Sequence, residues 1–499
     1  FQLIEASITD IHAAFRSGEL TSRQLAQLYL DRIEAYDRNG PQINSIITVN
    51  PRVFEEADAA DAAMKANGPS LPLHGVPVIL KDQIDAAGTP TTLGSVMFKD
   101  FYPDRDAFVV ERLRAAGAVI LAKATLGEMG GGDTHGSLFG STRNPYDLLR
   151  TVGGSSGGPA AAVACNFGAV AVGQEAFASI RRPSAWNCIV GMRPTAGLVS
   201  RSGVYAGWPG QNASLGPMTR TVSDLATLLD VLVGYDQEDP MTALGVGQAP
   251  PTYTTFLDKD GLRGARIGVL REVIGAESEP DSPDFQRISE VFDRAVGELA
   301  AAGATLVDPV TVPRLLDLIA RRGGGSAGWS ADDAWQVYFG RSKNAPYKSR
   351  EEMTRAPGYE QVYRRQREIN RGGTGPGAAS PLETLHAREE LMFNVLKVMA
   401  DNRLDAIVHK TVEHQPTLIS EGVDPPFVKV DLKGAPSLNT FLIYASSIAV
   451  PAGFTSDGLP ASITFFGRPY AEPELIRLAY AYEQATHHRR PPQITPALA

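Results

Sequence analysis

The sequence predicts an α/β fold, with a single α/β/α domain in which helices cover a central mixed β-sheet. Three observations carry that reading. Short apolar runs at 76–80 and 118–122 flank the helical stretch DAFVVERLRAAG, and strand–helix–strand order is what a partly parallel sheet requires. The step repeats when the alanine-rich GPAAAVACNFG leads into AVAVGQ. GARIGVLRE and RLDAIVHK then add two strands late in the chain. The 499 residues, 43% hydrophobic and 21% charged, are enough for one large core.

Taken in order, residues 1–65 read as an N-terminal helical segment. Thr21 and Gln24 fit a capping box, and Leu25, Leu28, Tyr29, Ile33 and Tyr36 share one helical face. FEEADAADAAMKANG continues in helix to a stop at Gly68. Residues 66–240 and 400–490 carry the strand and helix patterns of the core, ending in the amphipathic EPELIRLAYAYEQATHHRRPP. The stretch 310–380 differs: RRGGGSAGWS, NRGGTGPGAAS, many charges, and Trp329, Trp335, Tyr338 and Tyr347 describe a helical, lid-like insertion between glycine-rich joints.

Composition removes several classes of function. A formal charge of −9 argues against a nucleic-acid partner. Cys165 and Cys188 are the only cysteines, too few for a disulfide framework or a cysteine-based zinc site, and the usage fits a reducing cytoplasm. The most apolar runs are broken by Asn166 and Pro451 short of the roughly 20 residues a membrane span needs. The opening FQLIEASITDIHAAF lacks the pattern of a secretory leader, so the expected location is cytoplasmic.

The chemistry concentrates in TVGGSSGGPAAAVACNFGAVAVGQEAFASIRRP, residues 151–183, where serines sit on glycine-rich turns with no histidine nearby. One reading is a phosphate cradle, but the lysine-ending P-loop pattern is missing. Another is a nucleophile elbow, since Gly153, Ser155 and Gly157 match G-x-S-x-G, with His386, His409, His414, His487 or His488 as the base. NPYDLLRTV is a poor strand to precede such an elbow. The third reading uses a lysine as base. Lys81 closes the apolar run VPVILK, where burial would disfavour its charged form and free a lone pair at working pH.

Beyond these single motifs the chain resembles the amidase signature family. The likeness rests on LHGVPVILKDQIDAAGTPTTLGS, GSTRNPYD, GGSSGG with GQEAFASIRRP, MRPTAGLVSRSGV, SLGPMTRTVSDLATLLD and VPAGFTSDGLPASITFFGRP. It covers about residues 10–240 and 400–490. The resemblance implies Ser179 as nucleophile, Lys81 as ultimate base, and Ser155 bridging them beside a cis peptide bond with Gly154. It implies an oxyanion hole from the amides of Ala176, Phe177, Ala178 and Ser179, with Met129, Gly130 and Gly131 lining the substrate pocket. Ser156 would support the lysine by a hydrogen bond, and Arg181 would anchor the loop. A hydroxyl both donates and accepts, so Ser155 has the chemistry of a relay. No metal or cofactor is called for.

The sequence departs from the family pattern at the nucleophile loop. Phe177 and Ala178 replace the two glycines common before the serine, and Glu175 replaces the commoner aspartate. These changes keep the amides and the acceptor and bear on substrate choice. GQEAFASIRRPSAWN resembles the subgroup acting on aryl amides and carbamates. The expected activity is therefore hydrolysis of a small, fairly apolar amide, anilide or carbamate (urethane) through an acyl- or carbamoyl-serine, by a monomer or homodimer. The rivals are the glutaminase-type subunit of a tRNA-dependent amidotransferase, an α/β-hydrolase esterase and an inactive binding protein. His135 is expected to stabilise its loop and Cys188 to be a buried small hydrophobe. Tyr205 and Trp208 read equally as pocket wall or core.

Overall fold

The computed structural model describes residues 1–68, 70–210, 213–321, 331–360, 362, 379–419, 433–436 and 444–498. Its strands Ile46–Val49 (β1), Pro77–Lys81 (β2), Val119–Ala124 (β3), Val170–Glu175 (β4), Val190–Arg193 (β5) and Ser214–Thr219 (β6) form one half of a sheet. Arg266–Leu270 (β7), Thr305–Val310 (β8), Ala406–Lys410 (β9), Ser447–Phe454 (β10) and Pro460–Phe466 (β11) form the other. The strands lie in the order β1-β3-β2-β4-β6-β5-β10-β11-β9-β7-β8. β3, β2 and β4 are mutually parallel, as are β9, β7 and β8, while the remaining neighbours run antiparallel. This is the mixed sheet that the sequence predicts.

Every residue of β2, β3, β4 and β6 is buried, so both faces of the sheet are covered. Val78, Ile79 and Leu80 are completely enclosed, each contributing about 1.5–3 kcal/mol by leaving water. The β2–β3 crossover runs through the helix Phe108–Ala115 (α1), and the β3–β4 crossover through Gly157–Ala164 (α2). All eight residues of α2 are buried. Its short alanine side chains let it lie close against β2, β3 and β4.

The N-terminal region holds the helices Ile8–Ser17, Ser22–Arg32 and Val53–Asn67, and Thr21 and Gln24 form the capping box. Between the second and third of these lies β1, which pairs antiparallel with β3 and gives this region a share of the sheet. In the insertion, the glycine-rich joints and Trp329 lie outside the described residues. The helix Ala331–Phe339 packs Trp335, Tyr338 and Phe339 into a separate apolar cluster with Leu93, Met97, Phe98, Phe101 and Met129. No helix among the described residues is long and apolar enough to cross a membrane.

Candidate active site

Parallel neighbours end on the same side of a sheet, and this brings the site together. β2 and β4 pair with Leu80 opposite Val172, so Lys81 and Glu175 finish adjacent strands at one edge. α2 runs back across the sheet between β3 and β4, which returns its N-terminus, with Ser155 and Ser156, to that edge.

At this edge Nζ of Lys81 donates to Oγ of Ser155 at 2.7 Å and to the carbonyl of Gln174 at 3.1 Å. Lys81 and Ser155 are both fully buried. Burial drives the lysine well below its ordinary pKa; the Glu175 charge pulls the other way without overcoming it. The Gly154–Ser155 peptide is cis. Two glycines permit the close packing here. A Cβ on Gly154 would lie 2.2 Å from the Gly132 carbonyl, and one on Gly158 the same distance from that of Thr125.

Ser179 lies half-buried on the turn after β4, its carbonyl accepting the Ser156 amide at 3.1 Å. The turn closes around a carboxylate. Glu175 accepts from the amides of Ile180 and Arg181 at 2.9 and 3.0 Å and from Nε of Arg181 at 2.8 Å. Arg181 also donates through Nη2 to the Phe177 carbonyl at 3.1 Å, which ties both ends of the turn. Among the described residues, the backbone amides of Ala176, Ala178 and Ser179 have no acceptor. Preorganised, unclaimed N–H groups of this kind are suited to a developing negative charge.

Ser156 differs from expectation. Its hydroxyl donates to the Gln174 carbonyl at 3.1 Å and accepts that residue's amide at 3.3 Å. It therefore supports Lys81 through a shared carbonyl rather than by a direct bond. The loop of Met129, Gly130 and Gly131 lies against the same edge, because the Gly127 amide donates to the Ser155 carbonyl at 3.1 Å. Met129 holds a left-handed backbone at φ 55° and packs into the cluster with Trp335, Tyr338 and Phe339. A Cβ on Gly130 would meet Oε1 of Gln83 at 3.3 Å, so this loop borders the residues that follow Lys81.

Three of the histidines proposed for an elbow have partners other than Ser155. Nδ1 of His409 is 2.7 Å from the Lys410 carbonyl, that of His414 2.7 Å from the Gln415 carbonyl, and His488 faces Glu298. His135 contacts Oγ of Ser141 at 2.8 Å, within its own loop. Cys188 is buried. Tyr205 packs on Tyr338 with ring centroids 5.5 Å apart, while Trp208 lies beside the Arg201 guanidinium. Sequence reasoning missed the Gln174 carbonyl and the buried Arg182–Asp133 ion pair at 2.7 Å. The carbonyl leaves no trace in residue type, and the ion pair joins positions 49 apart with no motif between them.

Comparison with known proteins fits this geometry. The family model described as Amidase matches residues 24–476. The chain belongs to the amidase signature family. It is thus an amide hydrolase by family. Over 98% of its length it is 33% identical to a glutamyl-tRNA(Gln) amidotransferase component of Symbiobacterium thermophilum, covering 99% of that protein. It is 34% identical to a "Probable amidase" of Arabidopsis thaliana, over 99% of this chain and 92% of the relative. Among solved structures, the native peptide amidase of Stenotrophomonas maltophilia superposes with a TM-score of 0.82 at 34% identity, covering 98% and 99% of the two chains.

Proposed function

We propose that the protein hydrolyses the C–N bond of small, fairly apolar amides, anilides or carbamates through Ser179, Ser155 and Lys81. The observation that carries this reading is the enclosed amine of Lys81, 2.7 Å from Oγ of Ser155. A neutral amine has two N–H bonds and one lone pair. With one N–H on the Gln174 carbonyl and the other turned away from Ser155, the 2.7 Å bond reverses, so that the Ser155 hydroxyl donates and the lone pair accepts its proton. Ser179 then attacks the substrate carbonyl carbon, passing its proton to Ser155 as Ser155 passes its own to Lys81.

The tetrahedral oxyanion forms against the amides of Ala176, Phe177, Ala178 and Ser179, where one such donor is worth about 2.7–4 kcal/mol. Phe177 and Ala178 in place of glycines retain these donors. The ammonium of Lys81 returns its proton through Ser155 to the departing nitrogen, which amide cleavage requires. Water then enters by the same relay, releasing the carboxylic acid from an amide or the carbonic half-ester from a carbamate and freeing Ser179. The apolar cluster containing Met129 and Trp335 supports a hydrophobic substrate.

Turnover of an anilide, a primary amide, an ester and a carbamate, each with a Ser179→Ala control, tests this reading. Hydrolysis of any of the four that survives the substitution overturns the assignment of Ser179. The similarity to an amidotransferase component over 98% of the chain favours a second reading, a glutaminase that works with partner proteins. Release of ammonia from glutamine, in preference to the anilide, would select it.

A further inference from the structure

The residues after Lys81 and the helix Ala331–Phe339 are joined by one buried polar contact. The Tyr338 hydroxyl donates to Oδ1 of Asp85 at 2.7 Å, and both side chains are enclosed. Asp85 is fixed from its own side. Its Oδ1 accepts Thr91 Oγ1 at 3.0 Å, its amide donates to the Gly203 carbonyl at 3.0 Å, and its carbonyl accepts the Ala107 amide at 2.9 Å. Nη1 of Arg341 lies 4.0 Å from Oδ2. Other polar ties of the residues from 341 to 347 to the rest of the protein are nearer to solvent: Arg341 to Glu238, the Lys343 amide to Asp104, Asn344 to the Tyr102 carbonyl, and Tyr347 to the Met97 carbonyl. Water can replace those bonds at little cost, whereas the enclosed Asp85 carboxylate that loses the tyrosine proton is left with Thr91 as its donor at Oδ1 and is closed to water that could fill the gap.

Around this contact the aromatic rings interlock. Tyr338 meets Phe339 at 4.7 Å and Tyr205 at 5.5 Å, and Trp335 meets Phe339 at 4.2 Å. Met129 and Leu93 belong to the same cluster, and the Met129 amide donates to the Leu93 carbonyl at 2.8 Å. Movement of the helix would thus be felt at Met129, next to the loop that touches Ser155.

We propose that Tyr338 and Asp85 are positioning residues: their hydrogen bond clamps the helix Ala331–Phe339 against the segment following Lys81 and fixes the aromatic wall at Met129, so that it governs affinity for aryl substrates rather than the chemical step. This rests on the amidase reading above, with Met129 bordering the substrate.

The test uses the full chain with Tyr338→Phe, Asp85→Asn and Asp85→Ala, assayed on acetanilide and on acetamide. Tyr338→Phe and Asp85→Ala raise KM for acetanilide about tenfold, the worth of one buried hydrogen bond to a charged group, with kcat and the acetamide KM within about twofold. Asp85→Asn still accepts the tyrosine proton and restores KM to within about twofold of the parent. An unchanged acetanilide KM in Tyr338→Phe, equal losses on both substrates, or damage by Asp85→Asn equal to that by Asp85→Ala overturns the proposal. Acrylamide quenching of Trp335, defined by subtracting Trp335→Phe, reads the clamp without turnover. Quenching rises in Tyr338→Phe if the clamp exists, and unchanged quenching refutes it even if neither substrate is hydrolysed. Absence of hydrolysis by the parent protein, with raised quenching in the variant, would count against the amidase substrate reading alone.

Discussion

Lys81 and Glu175 end neighbouring parallel strands, yet the amine bonds the carbonyl of Gln174 while the Glu175 carboxylate is turned to Arg181. That division of partners matters. An ion pair with Lys81 would hold the amine charged and useless as a base, whereas the arginine takes up the carboxylate and burial prevails at the lysine.

The relay is expected to behave as one unit. Ser179→Ala, Ser155→Ala and Lys81→Ala should each lower kcat by about 10⁴-fold or more. The Ser155→Ala/Ser179→Ala double variant should be no worse than either single one, because the groups act on the same proton. Single-turnover rates on an anilide check this, and additive losses would show independent roles.

The rate should rise with pH. Lys81 has a pKa depressed by burial, so its reactive neutral fraction grows as pH climbs through that depressed value and then saturates. A kcat/KM profile with an acid limb and an alkaline plateau is expected. A profile with no acid limb down to the lowest pH at which the protein stays folded contradicts a base at this position.

The same burial makes Lys81 costly to the fold. Unfolded, the lysine binds a proton up to its ordinary pKa; folded, it gives that proton up at lower pH, so its presence destabilises the protein increasingly as pH falls between the two values. Lys81→Met should therefore raise the melting temperature while abolishing activity. The gain should be larger at about pH 6 than at about pH 9. A variant less stable than the parent at both values refutes this account.

Glu175→Ala leaves Arg181 buried without its main anion and frees the amides of Ile180 and Arg181. A loss of about 3–5 kcal/mol in denaturant unfolding is expected, with kcat falling as the turn loosens. Glu175→Gln keeps an acceptor for those amides and should cost less. Equal losses in the two variants would show that charge alone matters.

Phe177→Ala preserves the backbone donor and removes a half-buried ring. Turnover of acetamide should stay within about threefold, while preference between small and bulky acyl groups should change by about 10-fold or more. An equal effect on all acyl groups would place the ring outside the substrate wall.

Much of this architecture could be read from the residues, for physical reasons. β2, β3 and β4 are short apolar runs flanked by helical patterns, and they appear where the alternation predicts. β6 and β10 carry Pro217 and Pro451, and Gly216 and Gly453 as well, which mask a strand in any local reading. The grouping of Lys81 with Ser155 was legible through the family resemblance of the stretches that hold them, since a lysine closing an apolar strand does not by itself point to a serine 74 positions away. The Asp85–Tyr338 contact was not, since it spans 253 positions and depends on how the insertion docks.

The parallel β2–β4 arrangement gathers Lys81, Ser155 and the turn of Ser179, whereas much of the aromatic cluster comes from residues 335–362. On the proposed reading, the insertion adds to the selectivity set by Met129 and Phe177 without contributing to the relay. Exchanging the insertion for that of a relative with other substrate tastes, while keeping its docking contacts to Asp85 and Phe98, would alter what is cleaved without rebuilding how it is cleaved.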